Sequence, residues 1–189
     1  MYTYTVAFAL LWGSWALYWW ASSRGVKTNV WRESVPSRLL HIVPLVIAGL
    51  LLAIQPWPGP GLDQRFVPFS TAIFWAGWLI SASGLLFTVW ARRHFGRNWS
   101  GTVTLKLDHE LVVTGPYALV RHPIYTGLLF GFLGSAIAVG EWRGLVAVLI
   151  VILALWRKLR VEERGMRKLF GDAYRNYESR VSALVPFVL

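Results

Sequence analysis

Ten side chains able to do acid–base, ionic or hydrogen-bond chemistry fall into two short stretches. His109, Glu110, Tyr117, Arg121, His122 and Tyr125 lie in the run from His109 to Tyr125, and Lys158, Arg160, Glu162 and Glu163 follow later in the chain. The chain has no cysteine, which excludes thiol catalysis and disulfides. It shows no Ser-His-Asp set, no histidine pair spaced for zinc, no glycine-rich phosphate loop and no dinucleotide fingerprint. What remains is a polar pocket of carboxylates, cations and aromatic rings that suits a zwitterionic small molecule. A helix starting at Pro123 offers free N–H groups and positive dipole character to a carboxylate. Glu162 can counter an ammonium or a sulfonium. In the competing reading His122 only caps a helix and the Glu–Arg pairs only solvate the tail; spacing alone leaves both open.

The elements that must position these groups are apolar. The sequence is 56% hydrophobic with 12 Trp, only 15% charged, and its mean hydropathy is +0.48, which does not fit an average soluble domain. Thr114-Gly115-Pro116-Tyr117 reads as a turn. Arg121-His122-Pro123-Ile124-Tyr125 reads as a helix start, because proline suits the first helical position. Five apolar runs stand out: Tyr2 to Ala21, Leu39 to Ile54, Phe69 to Ala91, Ile124 to Val139 and Gly144 to Leu159. The first reads as a retained membrane helix, since it lacks the features of a cleaved signal. Trp12, Trp15 and Trp19 share one of its faces. Pro44 and His41 suggest a bent or interfacial entry to the second run, with His41 a structural histidine. Gly77, Ser81 and Gly84 in the third run, and the Gly127/Gly131 pair in the fourth, are small residues that allow close helix contact. From Arg160 onward apolar residues recur every three or four positions among charges, the pattern of an amphipathic helix, with a break expected at Gly171.

The net charge of +10 could point to nucleic acid, but the basic residues flank apolar runs and no nucleic-acid motif occurs. Seventeen of the 19 Lys and Arg fall in the first loop, the third loop and the tail. The positive-inside rule then puts those segments in the cytoplasm and the N-terminus outside. The expectation is an all-α, polytopic integral membrane protein with about five transmembrane helices, a cytoplasmic motif loop and an amphipathic C-terminal helix. It forms a single membrane domain divided at residues 1–101 and 102–189, and the motif loop and tail meet in one compartment.

The last eighty residues resemble the isoprenylcysteine carboxyl methyltransferase and phospholipid methyltransferase superfamily. The resemblance rests on His109-Glu110-Leu111-Val112, Gly115-Pro116-Tyr117, Arg121 to Gly127, Glu162-Glu163, Phe170 to Tyr174, and the closing Tyr177, Arg180-Val181 and Val185-Pro186. It runs from about Thr102 to Pro186. It implies S-adenosyl-L-methionine as cofactor, bound by Thr102, by His109, Glu110, Leu111 and Val112, by Tyr117, by His122, Pro123, Ile124 and Tyr125, and by Glu162. It implies a lipophilic acceptor in the membrane, contacted by a basic residue one turn before the glutamate. That place falls to Lys158, with Arg160 close by, where the eukaryotic carboxyl methyltransferases are similar in carrying Arg; Lys cannot hold a carboxylate bidentately as Arg can. A carboxylate acceptor needs no general base. An amine acceptor, as in phosphatidylethanolamine methylation, needs one, and Glu163 or a tyrosine is then the candidate. A non-catalytic lipid-binding protein of the same fold is the reading from another class. No metal and no nucleic-acid partner are expected.

Overall fold

A computed structural model describes residues 2–23, 29–32, 34–54, 57–58, 61–96, 104–106 and 111–186. In chain order the elements are α1 (Tyr2–Ser22), β1 (Asn29–Arg32), α2 (Val35–Ala53), α3 (Thr71–Phe95), β2 (Thr104–Lys106), α4 (Pro116–Leu119), α5 (Pro123–Val139), α6 (Trp142–Phe170) and α7 (Asp172–Glu178). The architecture is helical, as the apolar runs imply. One addition is a small antiparallel ribbon in which β1 pairs with β2, Trp31 opposite Leu105. Nothing in the polar loops that hold those strands signals it.

The inside and outside of this bundle are reversed relative to a soluble protein. Large apolar side chains point outward along whole helices: Leu39, Val43, Val46 and Leu50 on α2, Leu79, Leu86 and Trp90 on α3, Leu149 and Leu153 on α6. Exposed apolar surface on that scale needs hydrocarbon around it. Among the described residues, two helices, α2 and α3, combine the length and composition needed to cross a membrane, and α5 is an apolar helix just under that length.

Glycine sets the closest helix contact. A Cβ placed on Gly77 of α3 would lie 2.5 Å from the Gly134 carbonyl of α5, and one on Gly84 would lie 2.5 Å from the Gly127 carbonyl. Between them Ser81 Oγ donates to the Gly131 carbonyl at 2.8 Å. The two backbones can touch only because side chains are missing there. On the other side of α5, Val151, Leu155 and Leu159 of α6 form a core with Tyr125, Phe132, Ala48 and Leu51. His41 is buried on α2, which runs from Val35 through Pro44 without a break.

At the far end of the bundle Arg143 is buried. Its guanidinium donates to the Leu51 and Ile54 carbonyls at 2.6 Å each and to Glu141 at 2.5 Å. A cation thus satisfies the last carbonyls of α2.

The fifth apolar run and the amphipathic segment are not two helices. They form one, α6, of 29 residues, about 43 Å long at 1.5 Å per residue. Residues 157–164 are mostly good helix formers with no Gly or Pro among them, so nothing stops propagation where the composition turns polar. The break comes at Gly171, whose φ of +52° favours glycine.

Candidate active site

The site lies where the start of α5 meets the polar half of α6. Gly115 makes the approach possible: its φ is +60°, and a Cβ there would sit 2.7 Å from the His94 ring. His94 Nε2 in turn lies 2.9 Å from Thr114 Oγ1, which braces the turn against α3. Tyr117 follows, buried, its ring 5.1 Å from that of Phe95. Burial, aided by the charge of Glu162, pushes its phenol well above the usual tyrosine range.

His122 is the N-cap residue of α5, and its ring lies nearly parallel to that of Tyr125, 7° between planes and 5.2 Å between centroids. Tyr125 Oη donates to Glu162 Oε2 at 2.5 Å and accepts from Lys158 Nζ at 2.6 Å. Lys158 Nζ also donates to Glu162 Oε1 at 2.8 Å. Three residues therefore close a hydrogen-bonded triangle on one face of the two helices. Burial alone would raise the Glu162 pKa. The charges of Lys158 and His122 and the hydrogen bonds from Lys158 and Tyr125 more than offset it, and the carboxyl is held below its ordinary range.

A second network lies one residue on. Glu163, only 3% exposed, accepts from Arg121 Nε at 2.9 Å and Nη2 at 2.7 Å and from Arg167 at 3.3 Å. Arg167 also pairs with Glu178, and Arg121 lies 3.7 Å from the same carboxylate. Burial opposes ionisation of Glu163, but hydrogen bonds from His122 and Arg121 overcome it and hold the pKa at about 2. The backbone joins in: the Arg121 and His122 amides donate to the Ser182 and Ala183 carbonyls at 2.8 and 3.0 Å. Thr126 Oγ1 donates to the Leu184 carbonyl at 2.7 Å, and Tyr177 Oη to the Tyr117 carbonyl at 2.5 Å. The C-terminal segment thus clamps the motif loop.

Among the anticipated site residues, the structure brings together Tyr117, His122, Pro123, Ile124, Tyr125, Lys158, Glu162 and Glu163. Leu111 and Val112 are half-buried on the approach to the turn. Thr102, His109 and Glu110 lie outside the described residues. Arg160 does not join: it is exposed and rests over the Trp156 ring at 5.3 Å. Glu163 is no free base either, because both its oxygens are engaged by cations. The start of α5 offers less than anticipated, since Pro123 has no N–H and the Tyr125 and Thr126 amides already donate to the His122 carbonyl. Only the Ile124 N–H is left in that turn. The clamp itself, Arg121 with Glu163, Glu178 and the 181–184 backbone, was not anticipated. Its sequence traces are Arg121, Glu163 and the closing motif around Tyr177 and Val181, with nothing to pair them.

Apolar helices with ion-paired polar clusters at the two ends of the bundle define a helical membrane fold. A solved structure of the eukaryotic intramembrane Ras methyltransferase, isoprenylcysteine carboxyl methyltransferase, shares it: TM-score 0.61 at 20% identity, covering 96% of this chain and 68% of that one. The phospholipid methyltransferase model matches residues 72–173, more than half of the chain, and the chain belongs to that family. Its similar relatives include a protein-S-isoprenylcysteine O-methyltransferase of Schizosaccharomyces pombe, 34% identical over 99 residues, 49% of this chain and 41% of that protein. The corresponding protein of Mus musculus is 30% identical over 149 residues, 72% of this chain and 50% of that one. A methanethiol S-methyltransferase of Pseudomonas deceptionensis is 26% identical over 171 residues, 82% of this chain and 63% of that protein. The chain thus spans about half the length of the relatives it matches.

Proposed function

We propose that this chain is an S-adenosyl-L-methionine-dependent membrane methyltransferase acting on a lipophilic acceptor, with a carboxylate of an amphiphile as the favoured methyl-accepting group. The observation that carries the reading is the Glu162–Tyr125–Lys158 triangle beside the His122 ring, inside the segment that the family model matches.

The residues fit the cofactor's chemistry. Glu162, held ionised, meets a cation. The Ile124 N–H and the positive end of α5 meet a carboxylate. The parallel His122 and Tyr125 rings form a flat aromatic edge beside Tyr117, and the family resemblance assigns Thr102 and His109 to Val112 to the same ligand. When bound, the cofactor supplies a methyl group on a sulfonium. Lys158, 2.8 Å from Glu162, then neutralises and orients an acceptor carboxylate. A carboxylate is already a nucleophile at neutral pH, so no group on the chain has to remove a proton. The chain's contribution is geometry and exclusion of water, which can supply up to about 7–11 kcal/mol in favourable cases. Glu163 and Arg121 act as positioning residues that fix His122.

In this reading α1, α2, α3, α5 and the apolar part of α6 cross the bilayer. The N-terminus is outside and the site cytoplasmic, as the basic loops support. Residues 1–101 form the supporting helices, and 102–189 the catalytic region.

A second reading, S-methylation of a thiol, is favoured by the breadth of the match to the methanethiol S-methyltransferase. N-methylation of a phospholipid amine is the third, after the family's name. The test is transfer of labelled methyl from the cofactor into a lipid extract by the purified full chain. A carboxylate acceptor gives a product whose label mild alkali releases as methanol; thioethers and N-methyl groups keep it. Alkali-stable label refutes the carboxylate reading. Absence of both transfer and cofactor binding refutes the enzyme.

A further inference from the structure

The bundle has a cleft at the end away from Glu162. It lies between α1 and α2, floored by α5, with a volume of about 680 Å³, a size typical of small-molecule sites. Ala9 and Trp12 of α1, Gly49 and Ala53 of α2, and Phe132 and Ser135 of α5 line it. Trp12 and Phe132, with ring centroids 5.1 Å apart, stand at its inner end. Tyr125 lies seven residues further along α5, about 10 Å away, and neither Tyr125 nor Lys158 lines the cleft. The cleft is therefore separate from the candidate active site.

Its other end is polar. Arg65 and Glu141 line it there, about 30 Å along α6 from Glu162. Glu141 is bound to the buried Arg143 at 2.5 Å and also forms a looser ion pair with Arg65, whose Nη1 lies 3.9 Å away, too far for a direct hydrogen bond. Arg65 Nε donates to the Val67 carbonyl, and the guanidinium stacks over the Phe69 ring at 5.5 Å. The remaining N–H groups of the fork have capacity for an anion at the mouth.

We infer that this cleft binds one membrane phospholipid, an acyl chain lying between α1 and α2 and the phosphate on Arg65. A packed core does not leave a void of this size. Flanking Val6, Leu10 and Leu50 point outward, so the surrounding medium that can enter is acyl chain. Arg with open donors matches a phosphate by charge and geometry. The lipid completes the wall between two helices that pack on different neighbours, α1 on α3 and α2 mainly on α6. The inference requires the membrane setting but not the methyltransferase reading.

The experiment is native mass spectrometry of the full chain released from detergent, with phosphatidylglycerol or a diacylglycerol of the same chains added. One phosphatidylglycerol per protein should survive release, at least tenfold more than diacylglycerol. Gly49→Leu should lower that adduct at least tenfold. No atom stands within 4 Å of a Cβ at Gly49, so the leucine fills the cleft and does not strain the helix. Gly13→Leu, equally open but outside the lining residues, should keep it. Arg65→Gln should bring phosphatidylglycerol down to the diacylglycerol level. Equal adducts in wild type and Gly49→Leu overturn the inference. So does a dimer mass in place of the lipid adduct, or a co-purified acceptor or its methyl ester as the retained molecule.

Discussion

Glu163→Gln separates a structural carboxylate from a catalytic one. In the wild type one oxygen of Glu163 takes both Arg121 contacts and the other faces Arg167. Glutamine keeps one acceptor but turns an NH2 toward a guanidinium. Holding the carboxyl at about 2 instead of 4.5 corresponds to about 3 kcal/mol of preference for the charged form. That agrees with the ~3–5 kcal/mol lost when one partner of a buried pair is removed. In a chain of this size the variant should melt about 6–12 °C lower, measured in matched detergent at pH 7. The sign follows from the direction of the shift. A depressed carboxyl contributes fully above its unfolded value of 4.5 and loses that contribution as pH falls toward about 2. The gap between wild type and variant should therefore be roughly halved near pH 3. Methyl transfer per folded molecule should fall much less than stability. A variant that melts with the wild type yet cannot transfer methyl groups would overturn the assignment and make Glu163 part of the chemistry.

The other predictions concern the site, the packing and the topology. Glu162→Gln and His122→Ala should each weaken S-adenosyl-L-methionine binding by about ten- to a hundredfold, the cost of one charge-assisted contact, read by calorimetry on folded protein; wild-type affinity in both sinks the cofactor site. Lys158→Ala should slow methyl transfer at least tenfold while cofactor affinity holds or rises, because Glu162 loses a competing cation, whereas Arg160→Ala should leave both near wild type. Gly127→Ala should destabilise the fold by about 1–3 kcal/mol by overpacking the α3–α5 contact, and an unchanged melting curve would contradict that packing. In this cysteine-free chain, Gly61→Cys should react with an impermeant reagent from outside and Asn176→Cys only from inside; outside labelling at Asn176 breaks the five-span topology.

What could be read in the sequence was local. Gly77, Ser81, Gly84, Gly127 and Gly131 announce close helix packing because only small side chains permit it, and α3 and α5 do meet on those residues. Pro123 marks the start of α5 and Gly171 the end of α6 because each acts on its own backbone. The length of α6 was not readable, since the shift from apolar to charged residues after Leu159 imitates a boundary that the backbone does not have. The clamp on Arg121 was hidden for another reason. Its partners, Glu163, Glu178 and the carbonyls of Val181 and Ser182, come from distant segments, and no periodicity encodes a carbonyl's position.

Glu162 and Glu163 show why the helix matters more than the motif. Adjacent residues on an α-helix point about 100° apart, so the two carboxylates take different cationic partners. Glu162 turns to Tyr125 and Lys158, and Glu163 to Arg121 and Arg167. His122 stands between them, Nδ1 3.6 Å from Glu162 and Nε2 3.4 Å from Glu163. The buried pair fixes the histidine from one side, and the histidine limits where the Glu162 carboxylate can go from the other. In the proposed reading, a ligand cation meeting Glu162 would find the carboxylate held in position before binding, the order being supplied by the Arg121 clamp and not by the ligand.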